Sequence, residues 1–545
     1  MISCPHCGGN VKFDIPSQQM TCEYCHESFD PYSFDSKTKD AEESKSVEDN
    51  YEVTIFTCPQ CGGEILSTDN AAAGFCSFCG ASTILYSRIS KEHRPNYIIP
   101  FKKTKEDCKE AFARKMRRAP FAPKELKDPG AIDSFRGIYM PYWAFYVTQK
   151  GPISLQGTTQ HRSGDYICTD HYYLTGEMDS YYKGLSYDAS SSFADSISEA
   201  LAPYDVKGMK AFTPGYLSGF YADTSDVPAS VYQPEAEATA SEEALTALNK
   251  VPAFAPYSIS MAGISNPSDA LHTKTEQVDS TMFPVWFMSY RKKDRVAYAT
   301  VNGQTGKVVA DIPIDPKKYA LGSLLLALPI FVILLAFVTL LPTRLLTVSA
   351  ILAVLTAVIY TAELSAIKNK DSFSEDRGKL FRENPEQLNL QNQKINQKLT
   401  KAAKKKNKLG FVKIFVYFQM GVILLNMLFG VFGSSIGRSS TFTFSSVLWL
   451  ILIIAMAIII GVGSNKMKAL PSGQSIVGFI ASGIAVAVSS VIALLHPVSD
   501  LFYYAGSIFV LIAVILSIAD VIHYYNILST RRLPQFDKQG GDNRA

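Results

Sequence analysis

Eight of the ten cysteines in this 545-residue chain belong to four Cys-x-x-Cys pairs. The pairs are Cys4/Cys7, Cys22/Cys25, Cys58/Cys61 and Cys76/Cys79. Fourteen residues separate the two pairs of each half, and the second half repeats the first at an offset of 54 residues. This length suits a hairpin that brings four thiolates around one tetrahedral zinc ion. The spacing therefore predicts two small zinc ribbons, with two structural zinc ions held by these eight cysteines.

The residues that flank the cysteines agree with a structural metal site. Gly8, Gly62 and Gly80 follow cysteines, and glycine tolerates the backbone angles of a tight metal-binding turn. A unit of about 30 residues has too small a core to fold alone, and zinc contributes roughly 10 to 16 kcal/mol to such modules. His6 and His26 adjoin ligands, but we expect them to be bystanders because four sulfurs complete a closed site. A redox role is the alternative, and it would require a thioredoxin-like strand and helix context.

Charged residues make up 19% of the chain, below the roughly 25% usual for soluble proteins. The deficit lies in the last 230 residues, where six apolar runs approach or exceed the length that crosses a hydrocarbon core of roughly 30 Å. We predict a bundle of six transmembrane helices at residues 319–341, 345–367, 411–433, 445–462, 475–495 and 501–528.

The basic residues between these runs predict the orientation. The loop 368–408 carries twelve basic residues, whereas Arg344 and Arg438 are the basic residues of the loops on the opposite side. Short basic loops resist translocation, so we predict an integral membrane protein with both termini in the cytoplasm. The chain also begins with polar residues rather than a secretory signal, so we expect the cysteines to stay reduced.

Few ionisable residues fall inside the predicted spans. Glu363, Asp520 and His523 lie toward the cytoplasmic ends, and Asp520 and His523 share a helix face. Because buried charge is costly in a bilayer, they indicate either a proton or ion site or a polar cluster that pairs spans two and six. The stretch 387–408 predicts a basic amphipathic helix, which could lie on anionic lipid, pair with a partner helix or remain a solvated loop.

The soluble part precedes the spans and predicts an α+β domain. Thr104 and Asp107 resemble a helix-capping motif, and alternating residues over 287–314 predict three antiparallel strands. The segment 222–241 is predicted as a surface excursion. The resulting division of the chain is zinc ribbon 1 (1–30), acidic flexible linker (31–50), zinc ribbon 2 (51–90), α+β cytoplasmic domain with an antiparallel sheet (95–315), transmembrane helices 1 and 2 (319–367), basic cytoplasmic loop (368–410), transmembrane helices 3 to 6 (411–528) and cytoplasmic tail (529–545).

The densest group of reactive side chains in this domain contains two histidines, a cysteine and two aspartates. A nucleophile or a metal site can be drawn from it, but it lacks a nucleophile elbow, a phosphate loop and HExxH spacing. We therefore expect no catalytic residues, and a membrane-tethered hydrolase remains the third hypothesis. The residues are His161, Asp165, Cys168, Asp170 and His171.

Several motifs together resemble bacterial membrane proteins that contain a TFIIB-type zinc ribbon. They are the tandem Cys-Pro-x-Cys-Gly-Gly ribbons, the stretch 137–143 ending in Met140-Pro141-Tyr142-Trp143, the Pro284-Val285-Trp286 strand and the Asn302-Gly303-Gln304-Thr305-Gly306 turn. The resemblance covers residues 1 to about 315. Similar proteins are associated with phage-shock (PspA-like) and SPFH-domain proteins, so it implies a membrane scaffold in envelope stress, with no catalytic residues carried over.

Our leading hypothesis is therefore a non-enzymatic membrane scaffold that recruits a cytoplasmic protein partner. Nucleic acid is a poor fit because Lys12 is the one basic residue in 1–30, and phosphate binding requires Lys and Arg. The alternative is a transporter or channel whose soluble domain gates the spans.

Overall fold

The computed structural model describes residues 2–34, 50–67, 76, 78–79, 86–127, 135–260, 267–292, 295–337, 341–372, 377–383, 385–402, 441–467 and 477–532. Most of the predicted acidic linker (35–49), the third predicted span (411–433) and most of the C-terminal tail (533–545) lie outside these ranges.

The first cysteine repeat forms a three-stranded antiparallel sheet in which β2 is central. The strands are β1 (Val11–Asp14), β2 (Gln19–Cys22) and β3 (Ser28–Phe29). Inward residues alternate with outward ones, so Val11, Phe13 and Met20 are buried. They join the core of the neighbouring domain, where the Phe13 ring lies 5.1 Å from the Tyr216 ring.

The second repeat belongs to a much larger sheet. Among the described residues, this sheet has thirteen strands. They are β4 (Asn50–Thr57), β5 (Glu64–Ser67), β6 (Tyr86–His93), β7 (Tyr97–Ile98), β8 (Arg136–Ser163), β9 (Tyr166–Asp188), β10 (Lys210–Ala211), β11 (Tyr221–Ala222), β12 (Ser258–Ser260), β13 (Thr273–Lys292), β14 (Arg295–Asn302), β15 (Val308–Ala310) and β16 (Arg531–Arg532). The main path through the sheet runs β10, β7, β13, β8, β11, β5, β4, β6. β9 and β12 pair with β8, while β14 pairs with β13, β15 and β16.

Helices and short 3-10 turns cover this sheet. The helices are α1 (Lys105–Arg117), α2 (Asp195–Leu201), α3 (Gln233–Leu248) and α4 (Pro267–Ala270), and the turns are Pro31–Phe34, Glu125–Lys127, Val206–Gly208, Pro214–Leu217 and Ala229–Val231. The predicted cap of α1 is confirmed, because Thr104 and Asp107 each bond to the other's backbone N–H. Cys108, Phe112 and Met116 follow at helical spacing and form its buried face.

The two tryptophan-bearing segments lie side by side. β8 and β13 pair antiparallel, with Met140 opposite Phe283. The Phe101 ring contacts the rings of Tyr139, Phe220 and Trp286 at centroid distances of 4.9, 4.5 and 5.2 Å. Aromatic pairs stabilise a fold by more than the area that they bury, so this cluster contributes strongly to the core of the domain.

The Asn302 to Gly306 turn is organised by one side chain. The Asn302 Oδ1 atom accepts hydrogen bonds from the backbone N–H groups of Gln304 and Thr305, both at 2.9 Å. Gly306 supplies the left-handed backbone at φ +78°. The Gln304 side chain then accepts a 2.7 Å bond from the Asp205 N–H. The turn motif therefore fastens the β14–β15 hairpin to a neighbouring loop.

The segment 222–241 is not the predicted surface excursion. It begins with the buried residue Ala222 and continues into α3, whose Ala236, Ala240 and Ala244 are fully buried. Their spacing of four places them on one face, and their small side chains let the helix approach the sheet closely. The prediction was wrong because a polar, alanine-rich composition conceals a narrow buried stripe.

Among the residues that the structure describes, four helices are long and apolar enough to cross a membrane, at Pro316–Leu334, Pro342–Ile367, Val477–Leu495 and Asp500–Leu528. This is consistent with a membrane protein. They belong to α5 (Pro316–Phe337), α6 (Pro342–Ser372), α10 (Val477–Leu495) and α11 (Asp500–Leu528). A further helix, α9 (Thr441–Met467), contains a shorter apolar stretch at Ile451–Gly463. α6 packs against α9, α10 and α11.

The polar residues of these helices pair α6 with α11. The Tyr360 hydroxyl donates a 2.5 Å hydrogen bond to the Asp520 carboxylate, and the Tyr360 ring packs on Phe479 of α10. Glu363 and His523 are exposed. This contact agrees with a polar cluster that joins spans two and six, one of the two interpretations of the sequence.

The loop after α6 folds back onto the soluble domain. It contains α7 (Arg377–Glu383) and α8 (Pro385–Ala402). Leu388 is buried in a cluster with residues of β8 and α3. The buried Arg377 guanidinium lies 2.8 Å from the Glu235 carboxylate, and its backbone N–H bonds to Asp195 at 2.7 Å. Glu199 lies at the edge of this contact with its side chain exposed to solvent. Partial desolvation of its carboxylate, together with repulsion from the neighbouring Glu235 and Asp195, raises the pKa of Glu199 to about 7.

We expect Arg377→Ala to lower the free energy of unfolding by about 3 kcal/mol, because it leaves Glu235 without its buried partner. Thermal and denaturant unfolding of the purified full chain would measure this loss. The matched control is Arg114→Ala, whose partner Glu110 is exposed, and it should cost less than about 1 kcal/mol.

The loss of stability in Arg377→Ala should also depend on pH. Because the folded-state pKa of Glu199 lies above its ordinary value of 4.5, this group favours folding at low pH and disfavours it as the pH rises through about 7. Without the Arg377 cation, the repulsion between ionised Glu199 and its neighbouring carboxylates is less compensated. The loss in the free energy of unfolding should therefore be greater near pH 8 than near pH 5. Equal losses at the two pH values would contradict this account.

Candidate metal centres

Equivalent tight turns present the first pair of cysteines in each repeat. The Gly8 N–H bonds to the Cys4 carbonyl at 2.9 Å, and the Gly62 N–H bonds to the Cys58 carbonyl at 2.8 Å. Both glycines are left-handed, with φ of +70° and +71°. A side chain there would be strained, which explains the glycine after the second cysteine of the first pair in each repeat.

The second pair of the first repeat uses the same kind of turn without glycine. The His26 N–H bonds to the Cys22 carbonyl at 3.1 Å, and His26 itself has φ +58°. The Tyr24 N–H also points at the Cys22 sulfur, at 3.5 Å. Backbone N–H groups directed at sulfur favour the thiolate form that binds metal. The equivalent residue of the second repeat, Gly80, lies outside the described residues.

These turns bring all eight predicted ligands into two compact groups. Cys4, Cys7, Cys22 and Cys25 form the first centre, Cys58, Cys61, Cys76 and Cys79 form the second, and the sulfurs of each group lie within 4.8 Å of one another. The closest sulfur pairs are separated by 3.4 and 3.6 Å in the first centre and by 3.7 and 3.8 Å in the second. A tetrahedral zinc with bonds of about 2.3 Å requires sulfur separations of about 3.8 Å. Each group could therefore hold one metal ion.

The thiols of each group influence one another strongly. A hydrogen bond from the Cys25 backbone lowers the pKa of the Cys22 thiol to about 6. In the second centre, contact with Cys58 raises the pKa of Cys61 and of Cys76 far above the ordinary thiol value. Four crowded thiols cannot all ionise alone, because each new thiolate repels those already present. A divalent cation offsets that repulsion, so the donor sets suit a bound metal.

The two centres differ in their exposure to solvent. In the first, Cys7 and Cys25 are exposed while the other two ligands are buried. The neighbouring His6 Nδ1 atom lies 2.6 Å from the Glu27 carboxylate, so this histidine contacts a carboxylate beside the centre.

The second centre is buried on all sides, with its four ligands hidden from solvent. Phe78, between two of these ligands, packs edge-on against Phe287 of β13. The Tyr298 hydroxyl of β14 donates a 2.9 Å bond to the Phe78 carbonyl. Because β5 also pairs with β11, this centre is part of the main sheet and its core.

The other reactive residues lie elsewhere. His161, Asp165, Cys168, Asp170 and His171 cluster at the tip of the β8–β9 hairpin, and Asp165 lies in its turn. The His161 Nδ1 atom is 3.2 Å from the Asp170 carboxylate, and both side chains are about half exposed. Cys108 is buried in α1, and burial raises its thiol pKa. The sequence predicted this group from its reactive residue types, but it did not indicate that these side chains lie on an exposed hairpin.

No protein-family model matches the chain, and no solved structure matches it. The chain is similar to YdjG of Bacillus subtilis (strain 168), which is described as an uncharacterized protein. The two are 27% identical over 326 residues, which make up 58% of this chain and 91% of the relative. Within the part of the chain that the structure describes, two four-cysteine groups that could each hold a metal ion are therefore combined with four helices that are long and apolar enough to cross a membrane.

The number of bound metal ions is a direct test of the two centres. We expect two ions per purified chain, and one ion in either Cys7→Ser or Cys61→Ser, because each change removes a ligand from one centre only. Elemental analysis against protein concentration measures this ratio. Cys168→Ser is the control and should retain two ions, since Cys168 belongs to neither group; two ions in both ligand variants would contradict the assignment.

The difference in exposure predicts two rates of metal loss. A chelator should remove the ion of the first centre at least about tenfold faster than that of the second, which corresponds to about 1.4 kcal/mol more for local opening. Metal release into a colorimetric chelator should show two phases, and the fast phase should be missing in Cys7→Ser. A single phase, or loss of the slow phase in that variant, would show that burial does not control release.

Proposed function

We propose that this protein is a non-enzymatic scaffold that is anchored in the membrane and recruits a cytoplasmic protein partner. In this proposal both centres hold structural zinc, six helices form the anchor, and both termini face the cytoplasm. Cysteine sulfur in a closed set of four favours zinc over magnesium or calcium, which prefer oxygen ligands.

One observation carries the proposal: the outer part of the β8–β9 hairpin is an exposed arm. We define the arm as residues 159–170, beyond the segment that β12 supports at Gln156 to Thr158. The hairpin remains fully paired to its end, where Ser163 lies opposite Tyr166. Tyr166 and Ile167 are 78% and 74% exposed, and Tyr173 beside the arm is 79% exposed. Exposed aromatic residues are typical of protein-binding surfaces.

The register also favours a position of the arm far from the helices. The end of β13 near Lys292 leads into β14, where Arg295 bonds to the end of α11. β8 runs antiparallel to β13, so the arm extends beyond the opposite end of β13, at Thr273. The fourteen residue-to-residue steps from Gln149 to Ser163 span roughly 45 Å at about 3.3 Å per step. Such an arm could reach a partner at a distance from the membrane surface.

The same geometry supports a binding role for the reactive residues at the arm. His161 and Asp170 face each other across an exposed hairpin, whereas catalytic groups depend on pockets that exclude water. The Tyr360 to Asp520 contact supports an anchoring role for α6 and α11, because hydrogen bonds between helices are common packing contacts in membranes.

The resemblance of the zinc-ribbon motifs suggests a PspA-like or SPFH-domain protein as the partner, in an envelope-stress setting. The acidic surface of the first ribbon supports a protein partner rather than nucleic acid. Its one basic side chain, Lys12, already lies 2.6 Å from Glu23.

The test replaces Tyr166, Ile167 and Tyr173 together with serine. Crosslinking and affinity capture from native membranes should recover at least about tenfold less partner than the wild type, because central aromatic contacts often contribute 2 kcal/mol or more. Tyr24→Ser is the matched control, since Tyr24 is 75% exposed on the first ribbon. If the triple variant recovered the same partners as the wild type, or if only Tyr24→Ser lost them, the binding surface would not lie on the arm.

A further inference from the structure

A cavity of about 540 Å³ lies where the soluble domain meets the apolar helices. This volume falls within the roughly 300 to 1,000 Å³ of small-molecule sites. Its walls come from the loop after α1, from β13 and β14, and from the ends of α5 and α11. The lining includes Pro123, Tyr290, Arg295, Asp315, Lys317 and Asn526.

The cavity walls are held by hydrogen bonds between the domain and α11. The Asn526 side chain bonds twice to the backbone of Ile314, accepting from its N–H at 2.7 Å and donating to its carbonyl at 2.8 Å. The Arg295 guanidinium donates to the Thr530 hydroxyl at 2.7 Å and to the Ile527 carbonyl at 2.6 Å. A site with fixed walls loses little conformational freedom when a ligand binds.

The position along the chain places the cavity at the depth of lipid headgroups. Lys317 stands at the start of the first apolar helix, and Asn526 stands near the end of the last. The ring of Phe121 packs on that of Tyr319 at 5.2 Å, an aromatic contact of the kind enriched at membrane interfaces. Whatever occupies the cavity therefore meets both water and the edge of the hydrocarbon.

The charge of the lining is positive overall. Arg295 and Lys317 contribute two cations, and Asp315 contributes one carboxylate, whose Oδ1 atom accepts a hydrogen bond from the backbone N–H of Lys317 at 3.0 Å. Beside the cavity, Leu321, Leu324 and Leu325 of α5 are 60%, 61% and 66% exposed. A ligand that suits both features has an anionic head and an apolar body.

We propose that this cavity binds the headgroup of an anionic phospholipid from the leaflet that faces the soluble domain, with the acyl chains along α5. Basic pockets beside membrane helices are a recurrent way to bind such headgroups. The lipid would then join the β14 edge of the soluble sheet to the first and last helices. This inference does not depend on the identity of any protein partner.

The experiment uses the full chain in nanodiscs of phosphatidylcholine with or without phosphatidylglycerol. Native mass spectrometry after release should show phosphatidylglycerol retained in preference to phosphatidylcholine. Lys317→Gln should weaken this retention about fivefold, the effect of one surface cation on an anionic lipid. Lys318→Gln is the matched control because Lys318 has the same charge at the same depth, while its Nζ bonds to the Ala122 carbonyl at 2.6 Å.

Competition distinguishes the lipid from a free phosphate. Glycerol 3-phosphate at millimolar concentration should leave the retained lipid in place, because it lacks the acyl chains. Displacement by glycerol 3-phosphate would overturn the proposal in favour of a soluble phosphate ligand. Equal losses of lipid retention in Lys317→Gln and Lys318→Gln would overturn the proposal in favour of general surface charge. Equal retention of the two lipids by the wild type would also overturn it.

Discussion

The antiparallel pairing of β8 with β13 is the interaction on which the rest of the structure depends. The ladder runs from Arg136 opposite Phe287 to Gln149 opposite Thr273. One end of β13 leads to β14 and the helix α11, while β8 continues beyond the other end into the exposed arm. This ladder of backbone hydrogen bonds shifts register once, between Thr275 and Gln277. It fixes the two strands relative to each other, because slippage by one residue would turn every buried side chain outward. The metal centres, the arm and the helices are therefore held in one frame.

The two cysteine repeats have taken different places around this frame. The first keeps its own three-stranded sheet and packs its apolar face on Tyr216 and Phe220. The second extends the large sheet through β11 and buries its ligands under Phe78 and Tyr298. Related sequences thus yield one solvent-facing centre and one enclosed centre. The difference comes from the neighbours of each ribbon, since the cysteine turns themselves are alike.

Local patterns predicted the elements that depend on neighbouring residues. The Thr104 and Asp107 cap, the left-handed Gly8 and Gly62 turns and the hairpin around Gly306 follow from side chains within a few residues. The buried face of α3 was missed, because alanine at every fourth position carries little hydrophobic signal. The sequence also did not predict that α7 and α8 pack on the soluble domain. Arg377 appears in the sequence as one more cation of a basic loop, and its partner Glu235 lies 142 positions away.

The sequence by itself determined which cysteines come together, because Cys-x-x-Cys spacing allows each short turn to close on its own and the repeat supplies the second copy. It also predicted, from length and composition, the four described segments that are long and apolar enough to cross a membrane, whereas the structure gives the fourth predicted span (445–462) only a shorter apolar stretch. Only the tertiary structure decided that one centre is enclosed, that the reactive residues lie on an exposed arm, and that Arg295, Lys317 and Asn526 line one cavity. These features join residues tens to hundreds of positions apart, and burial or charge at such a meeting point arises only once the chain has folded.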